Sequence, residues 1–454
     1  MIRFLNVYYP TRSVLQLLSE AFIICCCYLA AAGLVLRSDT VKVLTYEHNL
    51  AKVFGLTLVT VAIAYYCDLY EPQMISGPGE THFRILLVLG LVSFLASAVL
   101  YLFPSFGIAR YITSAGIILI AVALIVWRQV FEWMQEREMF RERVVIFGSG
   151  TYAQGLANLI NSRRDVGMEL LRPMDADGNP LSAGAIVDWI EAYPEPIHRI
   201  IVAMEDRRGG LPVDELLAVR FRGIQVEEAS ALFERLSGKI ELSSLRPSSF
   251  LYSEGFRIQP SQLVTRRLAS VLAAGLGLLT FAPFFPLVAL LVKLTSPGPL
   301  FFKQIRVGEG GKPFNVYKFR SMRTDAEKGG ARFASKNDPR VTKIGMFMRK
   351  TRIDEVPQLW NVLRGDMGFV GPRPERPEFV PWLAEQLPYY NLRHLIRPGL
   401  TGWAQVRYGY GATLEESREK LQYDLYYVKH SSLGLDLLIM FETIKIILRR
   451  RGAQ

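Results

Sequence analysis

The chain has 454 residues, 50% of them hydrophobic and 21% charged, with a formal net charge of +11. At roughly 150 residues per domain this length holds about three units, and the composition excludes both intrinsic disorder and a single small module. Cys25, Cys26, Cys27 and Cys67 all lie in apolar runs, so neither a disulfide framework nor a Cys/His metal site is written here.

The charge is unevenly spread. Residues 1–256 carry 22 Lys+Arg against 26 Asp+Glu, a balance of −4, whereas 257–454 carry 31 against 16, a balance of +15. The C-terminal portion is the part that meets anions; nucleic acid, an anionic lipid surface or a phosphorylated substrate would each satisfy it.

Four apolar stretches open the chain, at 14–36, 50–66, 85–103 and 111–127. Each approaches the ~20 residues that cross a bilayer, which predicts four transmembrane helices within 1–140. The first is too long for the apolar core of a cleavable signal, and three more follow it. Arg3 and Arg12 precede the set and Arg128, Arg137, Arg141 and Arg143 follow it. The positive-inside rule then puts both ends in the cytoplasm, although Arg37 and Lys42 fall on an outer loop. Glu20 interrupts the first span within two turns of its cytoplasmic end, and is expected to snorkel to the interface.

Residues 141–256 turn soluble. Val144, Val145, Ile146 and Phe147 form a β-rich run ending in Gly148-Ser149-Gly150, with Ala153 and a helical pattern beyond, like the first strand, turn and helix of a Rossmann-like unit. That fingerprint also needs an acidic residue about 20 positions on. Glu169 and Asp175 are candidates in an irregular stretch around Arg172, Pro173 and Gly178. Strands at 199–203 and 223–227 complete a small parallel sheet. A nucleotide-binding domain and a nucleotide-free α/β spacer both fit, and no cofactor-binding residue is assigned.

A fifth apolar run, 268–294, is interrupted by Pro283 and Pro286 and flanked by Arg266 and Arg267 before it and by Lys293, Lys303 and Arg306 after it. Proline breaks a helix, and basic residues on both flanks favour a segment that enters and leaves through one leaflet. A kinked crossing and a buried core hairpin are the alternatives.

Chemistry concentrates between Lys303 and Gln405. Val316 to Met322 alternates apolar and basic residues, as a strand carrying Lys318 and Arg320 on one face toward one phosphate. Asp354 is placed to cap a helix with Pro357 in its first turn, an apolar stripe of Val356, Leu359, Trp360 and Leu363, and Gly365 at its end. There the helix dipole favours an ionised carboxylate and also a phosphate. In Gly371-Pro372-Arg373-Pro374 two prolines restrain an arginine that can hold a phosphate in two-point contact, and Arg397-Pro398-Gly399 repeats the device.

In Lys318-Phe319-Arg320-Ser321-Met322, in Asp354-Glu355 followed by Pro357-Gln358-Leu359-Trp360-Asn361-Val362-Leu363, in Gly365-Asp366-Met367 through Gly371-Pro372-Arg373-Pro374, and in Arg397-Pro398-Gly399, the sequence resembles the bacterial polyprenyl-phosphate sugar-1-phosphate transferases, or monotopic phosphoglycosyl transferases. The resemblance covers about 264–451, and Gly368 stands where many members have serine. The wider layout looks like the large members that initiate exopolysaccharide or O-antigen synthesis.

The resemblance implies a membrane protein of three parts. These are a four-helix transmembrane region at 1–140, a Rossmann-like α/β domain at 141–256, and an α/β catalytic domain at 257–454 whose re-entrant helix is 268–294. It implies multi-pass residence in the bacterial inner membrane, the catalytic domain on the cytoplasmic face, and sugar 1-phosphate transfer from a UDP-sugar to polyprenyl phosphate through a covalent aspartyl phosphosugar. Asp354 is the implied nucleophile and Glu355 its dyad partner. Lys318, Arg320, Arg349, Arg373 and Arg397 are the expected phosphate ligands. Mg²⁺ held by Asp354 and Glu355 is the implied cofactor.

Two rivals remain at this stage. A membrane-anchored nucleotide-sugar oxidoreductase or dehydratase draws on Gly148-Ser149-Gly150, yet no Tyr-x-x-x-Lys occurs in the chain. A non-catalytic scaffold draws on the basic domain. No nucleic-acid partner is expected, because the basic residues alternate with carboxylates beside a proline-broken apolar helix; homo-oligomerisation is left open.

Overall fold

The computed structural model describes residues 1–36, 49–71, 77–104, 110–136, 141–148, 150–173, 185–204, 211–245, 247, 250, 254–256, 260–295, 297–324, 326, 338–409 and 413–449. Arg37, Lys42, Arg137, Ser149, Asp175 and Gly178 lie outside them. The chain forms two compact units, one of Met1–Ile2 with Tyr9–Glu227 and one of Arg3–Tyr8 with Glu228–Gln454.

A short hairpin, β1 (Ile2–Phe4) and β2 (Val7–Tyr9), opens the chain. Long apolar helices follow: α1 (Thr11–Leu36), α2 (Asn49–Tyr66), α3 (Pro78–Leu102) and α4 (Arg110–Glu136). Among the described residues, five helical segments are long and apolar enough to cross a membrane: these and Pro260–Thr295. This is a membrane protein with a helical N-terminal region. Polar groups inside the apolar helices satisfy themselves locally, as when Thr57 Oγ1 donates to the Val53 carbonyl and Thr60 Oγ1 to that of Leu56. Ile24, Tyr28, Val53, Ile85, Val88 and Leu124 form one core across all four helices.

Glu20 does not snorkel. It is fully buried and ion-paired at 2.9 Å to Arg128 of α4, which also donates to the Leu69 carbonyl at 3.2 Å. A cation at the same depth removes the reason to reach for water.

The middle of the chain builds β3 (Glu142–Phe147), α5 (Thr151–Ser162), β4 (Met168–Leu171), α6 (Ala185–Ala192), β5 (Arg199–Val202), α7 (Val213–Phe221) and β6 (Gln225–Glu228). The sheet order is β4-β3-β5-β6, with β3 parallel to both neighbours. Gly148 has φ +130°, and a Cβ there would stand 2.5 Å from the Ala203 carbonyl oxygen. The first glycine of the turn is thus required by the close approach of the chain after β5.

The second unit begins with α8 (Ala229–Ser237). Next come α9 (Pro260–Phe281), a 3-10 turn at Ala282–Phe284 and α10 (Phe285–Thr295), so the apolar run breaks at Pro283. The antiparallel hairpin of β7 (Phe301–Val307) and β8 (Pro313–Phe319) pairs Phe301 with Phe319 and Phe302 with Lys318. Then follow α11 (Lys343–Lys350), α12 (Gln358–Arg364), β9 (Gly368–Val370), α13 (Val380–Gln386), β10 (Gly399–Thr401), α14 (Trp403–Arg407), α15 (Leu414–His430) and α16 (Leu433–Arg449). The C-terminal part is therefore α/β. Parallel β9 and β10 come so close that a Cβ on Gly399 would lie 2.0 Å from the Gly371 amide nitrogen.

Both arms of the broken helix pack on this unit. Ala274 and Leu278 of α9 lie against Leu359 and Val362, while Val288 and Val292 of α10 lie with Phe319 and Met348. Three of the five basic flank residues are spent internally. Arg266 pairs with Asp436 at 2.7 Å. Arg267 donates to the Val362 and Leu363 carbonyls, closing the end of α12, and Arg306 donates to the Pro374 carbonyl at 3.1 Å.

Candidate active site

Asp354 and Glu355 occupy a 3-10 turn, Ile353–Glu355, and only 6% and 7% of their surfaces are exposed. Arg352 enters the turn in the left-handed region at φ +60°. Val356 and Pro357 both keep helical backbone angles, but Pro357 has no N–H to donate to a helical ladder, and α12 starts only at Gln358. The expectation that Asp354 caps a helix is therefore corrected: the residue at the cap position is Pro357, and no side chain caps α12. The expected stripe changes too, since Leu359 and Val362 are buried and Trp360 faces out. Gly365 ends the helix at φ +100°, as its position suggests.

Three cations surround Glu355. Lys318 Nζ donates to Oε1 at 3.0 Å, Arg373 Nη2 to the same atom at 2.5 Å, and Arg352 Nη1 lies 3.6 Å from Oε2. Burial alone would push this carboxyl up, but Arg373, Lys318 and Arg352 together hold it well below the usual carboxylate range. Asp354 experiences the reverse. Burial, then the charge of Glu355, pushes its carboxyl up to about 6 against the pull of Lys318, Arg349 and Arg352. Its Oδ1 is buried with no hydrogen-bond partner.

The surrounding cavity has a volume of about 580 Å³. Lys318, Arg320, Arg349, Arg373, Asp354 and Glu355 all line it, so the structure brings together all but one of the site residues expected from sequence. Each is delivered by a distinct element. Lys318 comes from the end of β8, and Arg320, 6% exposed, from the residue just past it. Arg349 comes from the last turn of α11, where its Nε donates to Ser321 Oγ at 3.0 Å. That helix starts where Thr342 accepts from the Gly345 amide at 2.9 Å. Arg397 is the exception. It does not line the cavity, and its half-exposed side chain pairs with Glu309 at 3.1 Å.

Sequence reasoning passed over Arg352, Arg376, Arg393 and Asp424, which also line the cavity. Arg352 had a signal, being two residues before the dyad; the others are joined to it only by folding.

A divalent cation can be tested against these groups. Among the described residues no cluster of three or more His, Cys, Asp or Glu side chains exists. Of the two carboxylates expected to hold Mg²⁺, Glu355 has both oxygens engaged by cations, whereas Asp354 keeps one oxygen without a partner. One protein carboxylate plus substrate phosphates and water is a common Mg²⁺ environment, so Asp354 fits as a ligand in a substrate-completed site.

Residues 261–450 match the family model described as bacterial sugar transferase. The chain is 31% identical to the undecaprenyl-phosphate glucose phosphotransferase of Komagataeibacter xylinus, over 98% of this chain and 86% of that protein. It is also 31% identical to the UDP-glucose:undecaprenyl-phosphate glucose-1-phosphate transferase of Escherichia coli (strain K12), over 80% of this chain and 81% of the other. Identity reaches 43% with the UDP-N-acetylgalactosamine-undecaprenyl-phosphate N-acetylgalactosaminephosphotransferase of Aeromonas hydrophila, covering 51% of this chain and 54% of that one.

Proposed function

The chain belongs to the bacterial sugar transferases, and from that premise we propose that it moves a sugar 1-phosphate from a UDP-sugar to undecaprenyl phosphate, the opening membrane step of a polysaccharide, by way of an aspartyl phosphosugar. The enzyme is a sugar-1-phosphate transferase. Asp354 attacks the sugar-proximal phosphorus, the bond from that phosphorus to the UMP oxygen breaks, and UMP leaves with the electron pair. An oxygen of the lipid phosphate then attacks the same phosphorus. The acyl phosphate bond breaks, and the Asp354 carboxylate is regenerated.

The observation that carries this reading is the contrast within the dyad. Glu355 is held by three cations, while Asp354 Oδ1, buried on the same cavity wall, has no hydrogen-bond partner and a raised proton affinity. Such a carboxylate is more basic than usual yet ionised above pH 6, which suits a nucleophile that needs no separate base. Glu355 fixes Lys318 and Arg373 for the diphosphate, and Arg320 and Arg349 add charge on the same wall. Mg²⁺, held by Asp354 and the substrate's phosphates, would neutralise charge on the diphosphate.

The reading also places 268–294 as a re-entrant segment, with the catalytic unit on the cytoplasmic face of the inner membrane. What supports it is the break at Pro283 and the packing of both arms on one unit.

Asp354→Asn tests the mechanism. It keeps the shape and removes the nucleophile, so UMP release and sugar transfer are expected to fall at least 10³-fold. Wild-type protein given labelled UDP-sugar without lipid is expected to retain label on the peptide containing Asp354. Turnover within tenfold of wild type by the Asn variant, or kinetics requiring both substrates bound before UMP leaves, would reject the covalent route.

A further inference from the structure

Arg373 reaches Glu355 from a loop, and a long side chain on a loop is only as well placed as the backbone that carries it. In this loop and at the end of β9 before it, four carbonyls are taken. Val370 O accepts from Tyr427 Oη at 3.2 Å, Pro372 O from the Gly399 amide at 3.0 Å, Arg373 O from Arg393 Nη2 at 2.9 Å and Pro374 O from Arg306 Nη1 at 3.1 Å. The bond to Arg373 itself comes from a buried arginine.

Arg393 lies in the 3-10 segment Tyr390–Leu395 and is 8% exposed. Its Nη1 donates to Tyr390 Oη at 2.7 Å, and its Nη2 lies 2.8 Å from Asp424 Oδ2 of α15. Tyr390 and Asp424 are 3% and 2% exposed. A buried ion pair of this kind adds little net stability over a packed apolar group, so stability alone is a weak account of it. The planar fork of arginine does fix several acceptors at set angles, which an ammonium group does not. With Tyr390 and Asp424 holding the fork, the same Nη2 that faces Asp424 also reaches the carbonyl of Arg373.

We propose that Arg393, oriented by Asp424 and Tyr390, is a positioning residue for the transfer reaction, acting through the Arg373 carbonyl to keep the Arg373 guanidinium on Glu355. This rests on the proposed role of Arg373 in the phosphate site. Arg393 touches neither reacting atom; it sets where the charge stands that does.

The test uses the full-length chain in detergent and measures UMP release. Arg373→Ala, Arg393→Lys and the double variant form one cycle. Arg393→Lys is expected to lower kcat at least tenfold in the wild-type background and less than twofold in the Arg373→Ala background. A loss of equal size in both backgrounds overturns the proposal. A fully active Arg373→Ala would instead overturn the role given to Arg373. If Arg393→Lys does not remain monodisperse, Asp424→Asn, which keeps an acceptor oxygen, takes its place: a threefold or greater loss that disappears without Arg373 supports the proposal, and a loss that persists rejects it.

Discussion

At the scale of one residue, Asp354 carries a cost that its proposed role as nucleophile explains. Its carboxyl, ordinarily near 3.8, is raised to about 6 in the folded chain. Because the folded value lies above the unfolded one, ionisation is penalised in the fold: the penalty is fully present above pH 6, shrinks as pH falls, and is gone below pH 3.8. Asp354→Asn is therefore expected to raise the thermal midpoint at pH 7.5 while abolishing turnover, with the gain fading as pH falls from 6 toward 4. A midpoint unchanged or lowered at pH 7.5 would contradict this. The same sign predicts that wild-type kcat/KM falls on the acid side as Asp354, the proposed nucleophile, becomes protonated. Residue identity at this site was legible in the motif, because adjacent carboxylates and the flanking basic blocks are local features. Environment was not. A helix cap would have held Asp354 low, and only the fold reveals that the helix starts at Gln358, beyond the dyad, and that Glu355 takes the cations.

The element that most depends on folding is the broken helix. At 1.5 Å per residue the 11 residues of α10 span about 16 Å, half of a ~30 Å hydrocarbon core. The apolar part of α9 beyond Arg267 is little longer. Neither apolar arm alone spans that core, and both pack on the same unit, which supports the proposed re-entrant path. Cysteines replacing Ser261 and Thr295, both exposed, in a chain whose four native cysteines are serine, are expected to react with an impermeant thiol reagent from the same side of sealed vesicles. Reaction from opposite sides would require a kinked crossing. The break was legible because proline acts locally; the use of Arg266 and Arg267 was not. Their partners, Asp436 and the end of α12, lie 95 to 170 residues away, and a basic flank reads the same whether it meets lipid or a carboxylate.

For the whole molecule, the consequential boundary lies before α8. By composition residues 228–256 go with the middle domain, whereas by compactness they go with the C-terminal unit. The reason is a set of partners that sequence proximity conceals. Glu234 of α8 pairs with Lys429 at 2.8 Å and with His430 at 2.5 Å. Trp403, 1% exposed, donates Nε1 to the Gly238 carbonyl at 2.7 Å, and the Ile240 amide donates to the Gln422 carbonyl at 3.1 Å. Leu232, Leu236 and Ile240 are also buried. At about 1.5–3 kcal/mol per buried aliphatic side chain and about 1 kcal/mol per hydrogen bond, removing this segment forfeits roughly 7 kcal/mol or more. That is comparable to the whole stability of a domain, about 5–15 kcal/mol. A chain beginning at Glu228 is therefore expected to fold in detergent and retain UMP release, whereas one beginning at Arg257 keeps every proposed site residue and still loses its cooperative thermal transition. Equal midpoints for the two truncations would show that α8 is a passenger. Activity confined to chains containing the middle sheet would show that the catalytic unit does not stand alone.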